Sequence, residues 1–490
     1  MAGIDTGIAR AVVATVLVLA SGCSESAGAR PNIVLITLDT TRPDYLSTYG
    51  HAGGETPNFD ALADGGIRFD QAISASAVTP VSHASILTGL YPYNHGLRVL
   101  SAPSGFRLPQ HAPTLTTWLK DSGYETGAVL SAFPVSRHFG FERDFDVFEG
   151  QGGSMKSHRA WDVRALQRRS DETTDLALEF ARNAQQPFFL WVHYWDPHDP
   201  FLQPPAQFVE GVPRAWPNDA WYAAEVRYVD AQFGRLISGL EEMGTYDGTI
   251  VAVTADHGEG LSDGEQRHGW HGHRMVYQEQ ILVPLILRLP GVPAGLSVPD
   301  VVRTVDIVPT LLDYAGLSPM GDLDGRSLRD LIEGSPESSR SAYADQINGY
   351  DLNATMIKDH PDAAFLYCLI DGDWKLTYRP HMPQRSELFN LSDDPGELTN
   401  LFDERPQVAT RLLTDLARRR PWVLQPFEAD GTQDPDAIKA LNALGYASAD
   451  GSEGAQEWAW TCPLHQDVRQ GDSGQHDACG TQLVPVAAAQ

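Results

Sequence analysis

Four runs of the chain are almost continuously apolar and rich in β-branched residues: 32–38 (NIVLITL), 188–193 (FFLWVH), 249–255 (TIVAVTA) and 283–288 (VPLILR). Strands covered on both faces read this way, because no position along them meets water. Between the runs, 112–122 and 220–242 carry helical patterns. Strands alternating with helices predict an α/β fold with a mainly parallel sheet and helices on both faces. In such sheets chemistry gathers beyond the carboxyl ends of the strands. Asp39 ends the first run, and Asp256 and His257 end the third. From about Ser338 the rhythm changes to short strands (LYCLI, WKLTYR), a turn-rich DDPGE and a helix near 405–419, which predicts a smaller C-terminal α+β subdomain.

Composition alters this picture mainly at the ends. The 490 residues are 42% hydrophobic, enough for a large core with room for appendages. A formal charge of −28 repels polyanions over most of the surface, so no nucleic-acid partner is expected. Arg10 precedes an apolar run from Ala11 to Ala20, followed by Ser21, Gly22 and Cys23. That run is too short to span a bilayer and suits a signal-peptide core. The ending LASGC resembles a bacterial lipoprotein processing site, with Cys23 as the lipid-anchored N-terminus; ordinary cleavage and release is the alternative. The expected location is the periplasm, or a lipoprotein anchored in the outer or cell membrane of a bacterium. The organisation reads as a signal peptide (1–22), a linker (23–30), a main domain (31–337), the subdomain (338–424), an Asp/Ala/Gly/Ser-rich linker (425–457) and a separate tail (458–490). Cys368, inside AFLYCLI, reads as a buried free thiol.

The segment TPVSHASILTGLYP (79–92) carries the first candidate chemistry. Thr79 followed by Pro80 predicts a helix start, with Thr79 as the N-cap and Pro80 at the first helical position. The free N–H groups and the dipole of that helix would favour an anionic ester or a developing alkoxide at Thr79. His83, four residues on, falls on the same helix face. Taken alone, a Thr-Pro pair reads more safely as a simple cap.

The run SHASILTGLYP resembles the signature of the sulfatase family of the alkaline phosphatase superfamily, C-x-P-S-R-A-S-x-x-T-G, with Thr79 at the cysteine, Val81 at the proline and His83 at the arginine. The resemblance continues over about 31–420, through LDTTRPDYLSTYG, TPNFDALADGGIRF, FFLWVHYWDPHDPF, TADHGEGL, VYQEQILVPLILRLPG, TVDIVPTLLDYAGL and LFNLSDDPGELTNL. It implies an alkaline-phosphatase-like fold and a metal-dependent hydrolase of a sulfate or phosphate/phosphonate ester. Family sulfatases oxidise the signature Cys or Ser to formylglycine, whose hydrate attacks sulfur. Threonine cannot give that aldehyde, because its Cβ carries a methyl group. The departure implies direct attack by a metal-activated Thr79 alkoxide and shifts weight toward phosphate or phosphonate esters.

The same resemblance assigns the metal to Asp39, Asp256 and His257, with Thr40 where many relatives have a second Asp. One divalent ion is expected; carboxylates with an imidazole suit manganese or zinc better than calcium. The implied catalytic set is Thr79, His83, His198 in HYWDPHDP, and His273 at the family's lysine position in RHGWHGHRMVYQE, with His271 as its close alternative. An imidazole near neutral pH is suited to protonating a leaving alkoxide. A second zinc on Asp196, His198 and His271 or His273 is the other use of these groups. The substrate is expected to be a small-molecule, glycan or lipid ester; the oligomeric state is not set by the sequence. Two further readings stay open: an envelope transferase of a phosphoryl or phospho-alcohol group, and a non-catalytic metal- or ligand-binding protein on a degenerate scaffold.

The tail segment WTCPLHQDVRQGDSGQHDACGTQLVPV resembles a small heavy-metal-binding module. Cys462, His465 and Cys479 match its ligands and His476 replaces a Cys, so four soft or borderline groups remain for zinc or another heavy metal. A bound metal would supply stability that about thirty residues cannot draw from a core.

Overall fold

The computed structural model of the chain describes residues 30–52, 55–98, 107–150, 166–198, 202–213, 219–273, 275–346, 366–380 and 382–422, with parts of 458–487. The signal-like segment with Cys23, the 425–457 segment and Cys479 lie outside the described residues.

Eight strands form the main sheet: β1 (Asn32–Leu38), β2 (Ile67–Ile73), β3 (Glu125–Leu130), β4 (Val147–Glu149), β5 (Phe188–Tyr194), β6 (Thr249–Ala255), β7 (Leu282–Arg288) and β8 (Leu296–Arg303). Their order is β4-β3-β5-β1-β6-β7-β2-β8. All run parallel except β7, which is antiparallel to β6 and to β2. The α/β class with a mainly parallel sheet is as the apolar runs predict. Every residue of β1, β5 and β6 is buried, which is why these strands lack alternation. Register places the site. Leu38 lies opposite Tyr194 on one side and opposite Ala255 on the other, so the three central strands end at one level. Asp39, Trp195 and Asp256 therefore emerge together at the carboxyl edge.

A second sheet, in order β12-β11-β10-β9, is antiparallel and built from β9 (Ala342–Gln346), β10 (Leu366–Asp371), β11 (Trp374–Tyr378) and β12 (Glu387–Asn390). Helix Pro406–Arg419 covers it with Leu412, Leu413 and Leu416. The sheet docks beside the strand leading to Thr79: Asp345 N–H donates to Ala75 C=O at 3.0 Å, and the Ser76 hydroxyl donates to Asp345 C=O at 2.8 Å. Buried Arg98 adds an ion pair to the Asp345 carboxylate. Cys368 is a buried free thiol in β10. In the tail, β13 (Trp458–Cys462), β14 (His465–Gln470) and β15 (Val484–Ala487) form a small antiparallel sheet in which Cys462 lies opposite His465. Among the described residues, no helix is long and apolar enough to cross a membrane.

Candidate active site

The two strand-end carboxylates sit on the floor of the site, fully buried. Asp256 Oδ1 accepts the backbone N–H of His257 at 2.8 Å and of Thr40 at 3.1 Å. Thr40 adopts a left-handed backbone (φ 48°), which turns the chain sharply after Asp39 and aims its N–H at that carboxylate. Asp39 Oδ2 accepts the His193 Nε2–H at 3.1 Å. Among the described residues, Asp39 Oδ1, Asp256 Oδ2 and the Thr40 hydroxyl are buried and have no hydrogen-bond partner. His257 donates from Nδ1 to the Gly258 carbonyl at 2.9 Å, which leaves the Nε2 lone pair facing the floor. Ligand atoms of Asp39, Asp256 and His257 all lie within 4.8 Å of one another.

Thr79 opens helix Thr79–Thr88 against this floor. Val78 is the N-cap, Thr79 the first helical residue and Pro80 the second, so the helix begins one residue earlier than the Thr-Pro pair predicts. The Thr79 hydroxyl lies 3.2 Å from His257 Nε2. His83 lies behind Thr79, not beyond it. Its Nδ1–H donates to the Thr79 carbonyl at 2.8 Å, and its Nε2 accepts the Thr37 hydroxyl at 3.1 Å. Trp191 Nε1–H in turn donates to Thr37 at 3.0 Å. Burial pushes His83 down to about 3, so it is a neutral prop for the helix start.

Two histidines face Thr79's surroundings from the other side. His198 stacks on Trp195, with ring centroids 3.8 Å apart. His273 lies 5.0 Å from His198 and 4.7 Å from His257, measured between ring centroids. His271, which the sequence leaves nearly interchangeable with His273, is turned to the rim and pairs with Glu265 at 2.7 Å. Among the described residues Asp196, His198 and His273 or His271 do not form a ligand group as close as that of Asp39, Asp256 and His257, and the Ser170 hydroxyl donates to Asp196. Burial raises the Asp196 carboxyl to about 7. In the tail, Cys462 is buried and His476 is half-buried, while Cys479 is outside the described residues.

These residues fit a divalent cation. Burial, and then the charges of Asp256 and Glu259, hold the Asp39 carboxyl well above its ordinary range, and burial does the same for Asp256. Ionised acids crowded in a dry site cost several kcal/mol each unless a cation offsets them. Asp39, Asp256 and His257 would hold it, with the Thr40 hydroxyl beside them. Burial likewise lowers His257, His193 and His198, keeping the imidazoles neutral. Sequence reasoning missed Glu259, a buried acid whose Oε2 lies 3.2 Å from His273 Nδ1. Its signal was position alone: in DHGEG it sits two residues after His257.

With this geometry in place, comparison with known proteins is informative. The Sulfatase family pattern matches residues 31–317, and the pattern for the C-terminal part of N-sulphoglucosamine sulphohydrolase matches 264–420. The chain is 24% identical to an N-acetylglucosamine-6-O-sulfatase of Bacteroides thetaiotaomicron, over 83% of this chain and 88% of that protein. It is 26% identical to an arylsulfatase of Clostridium perfringens, over 76% of this chain and 90% of the relative. The crystal structure of a phosphonate monoester hydrolase of Agrobacterium radiobacter superposes with a TM-score of 0.65 at 24% identity, covering 80% of this chain and 95% of that one. Since the family pattern spans more than half of the chain and falls on the sheet and strand ends just described, this protein belongs to the sulfatase family and is an ester hydrolase of that family.

Proposed function

We propose that the chain is an exported, metal-dependent sulfatase-family hydrolase that uses Thr79 itself as nucleophile on a phosphate, phosphonate or sulfate ester. The observation that carries this reading is the Thr79 hydroxyl, buried at a helix start and 3.2 Å from Nε2 of His257, itself one member of the Asp39, Asp256 and His257 group. Asp39, Asp256 and His257 would hold a divalent cation, which when bound would supply the charge that favours a deprotonated Thr79 hydroxyl. Manganese or zinc suits the two carboxylates and one imidazole better than calcium. Thr79 Oγ1 then displaces the alcohol from the tetrahedral anion, the free N–H groups of the helix start face the new negative charge, and His198 and His273 stand at the departing oxygen. Water cleaves the Thr79 ester and restores the hydroxyl. His83 holds the Thr79 carbonyl and so fixes the nucleophile's backbone.

The threonine favours phosphate or phosphonate esters, because an aldehyde hydrate and its easy elimination of sulfate are chemically closed to it. The substrate alcohol is a small molecule, a glycan or a lipid. We further assign residues 1–22 to export with Cys23 as the lipid-bearing N-terminus, and a zinc site in the tail to Cys462, His465, His476 and Cys479. Unchanged proteolysis of the tail on adding zinc would sink that last assignment.

The test is an ester panel (aryl sulfates, phosphomonoesters, phosphodiesters and phosphonates) run against manganese, zinc and calcium. The phosphorus esters should turn over faster, and Thr79→Ala should lose about 1,000-fold or more in kcat with its melting temperature nearly unchanged. A wide advantage for the sulfates would overturn the preference; turnover surviving in Thr79→Ala would overturn the nucleophile.

A further inference from the structure

The loop after His257 is closed by its own backbone. Gly260 N–H donates to Gly272 C=O and Gly272 N–H returns a bond to Gly260 C=O, both at 2.9 Å. The two residues thus form an isolated antiparallel bridge. Glycine is required at both: a Cβ on Gly260 would lie 2.9 Å from Gly272 O and 3.0 Å from Trp270 O, and Gly272 has φ +80°. In an antiparallel bridge the next pair outward is Glu259 and His273, so the sequences GEG and HGH set these two side chains against each other. They meet at 3.2 Å, Glu259 Oε2 to His273 Nδ1. Glu259 is also tied through its backbone, since Arg42 Nη1 donates to its carbonyl at 3.2 Å and Arg42 is itself paired with Asp44 and Asp263.

The bond made at one imidazole nitrogen fixes the ring and decides which nitrogen works on the other side. We propose that Glu259 is a positioning residue for the reaction: it grips His273 through Nδ1, so that Nε2 faces the departing oxygen of the ester; the Nε2–H of the protonated ring gives that oxygen its proton, and the neutral ring takes one back from the water that cleaves the Thr79 ester. The proposal rests on the Thr79 reading for the place of that oxygen. A stabilising role accounts for Glu259 poorly. Its side chain is 2% exposed and its Oε1 has no hydrogen-bond partner, and a buried carboxyl half satisfied is a net cost to folding. What the acid gives the molecule is the orientation of one ring beside His257 and His198.

The test compares two esters with the same acid part, one losing 4-nitrophenol, which departs without a proton, and one losing a simple alkyl alcohol, which needs one. Glu259→Gln should lose about 10- to 100-fold in kcat on the alkyl ester and less than about threefold on the nitrophenyl ester, with KM unchanged for both. Combining Glu259→Gln with His273→Ala should be no worse than His273→Ala alone. Equal losses on the two esters, or no loss on either, overturn the proposal. Thr79→Ala, read on the nitrophenyl ester, separates the two assignments: if turnover survives there, the nucleophile is wrong, yet the leaving-group contrast still decides Glu259. A nitrogen-15 spectrum of the histidine rings needs no substrate. Glu259→Leu should shift the His273 ring nitrogens, and an unmoved His273 would equally overturn the proposal.

Discussion

The floor and the rim of the site are held in place by different physics. Asp39, Asp256 and His257 follow directly from strand ends, and their positions come from the ladders that align Leu38 with Tyr194 and with Ala255. Glu259, His271 and His273 lie on a loop closed by one two-glycine bridge and a few side-chain pairs. The floor is buried and electrostatically costly without a cation; the rim is partly open and adjustable. On the reading proposed above, the bond-making chemistry rests on the sheet and the handling of the departing group on the loop.

That contrast can be broken most severely at the floor. Asp256→Asn keeps an acceptor for the N–H groups of Thr40 and His257 but removes the charge, and kcat should fall about 1,000-fold or more. Saturating metal at about 100 times its Kd should stabilise the parent by about 2.7 kcal/mol in a thermal melt and leave this variant unmoved. The metal-free variant should melt no lower than the metal-free parent, because one crowded acid is gone. At the rim, Gly260→Ala should cost about 10- to 100-fold in kcat by displacing His273, with about 1 kcal/mol or less of stability lost. His271→Ala, by contrast, should change kcat less than about threefold, since its partner is the rim residue Glu265. An effect as large as that of His273→Ala would erase the distinction between the two histidines.

The smallest effect concerns Asp196, which burial raises to about 7. A carboxyl whose folded pKa is raised stabilises below its unfolded value near 4 and loses that contribution as pH rises through about 7. Asp196→Asn should therefore flatten the melting temperature between pH 4 and 7, by less than about 5 °C, with activity read on the nitrophenyl ester as the control.

Much of the floor was legible in the sequence because central strands advertise themselves. NIVLITL and TIVAVTA are apolar throughout, and the first acid after each marks the strand's end. The orientation of the Leu282–Arg288 strand was not legible, since a fully buried strand looks alike whether its neighbours run with it or against it. Leu296–Arg303 escaped notice because its burial is patchy, with little period for a sequence pattern to show. The helix starts one residue before the Thr-Pro pair predicts, with Val78 as the cap and the Thr79 hydroxyl turned to His257. Glu259 was invisible for a different reason: its partner is 14 residues away across a bridge made by residues that have no side chains to signal it. The roles expected of His198 and His273 follow from family resemblance and not from any local pattern, whereas the different settings of His271 and His273 follow from their pairs with Glu265 and Glu259, which no local pattern shows.

The shared level of the three central strands also governs how the molecule can breathe. Asp39 and Asp256 cannot separate unless several rungs of a fully covered ladder come apart at once, an event close to global unfolding. The Gly260–Gly272 bridge needs only two bonds to part. Warming should thus quiet the histidine loop well before it disturbs the seat of charge beneath it, and amide exchange should be fast at Gly260 and Gly272 while β1 and β6 stay protected.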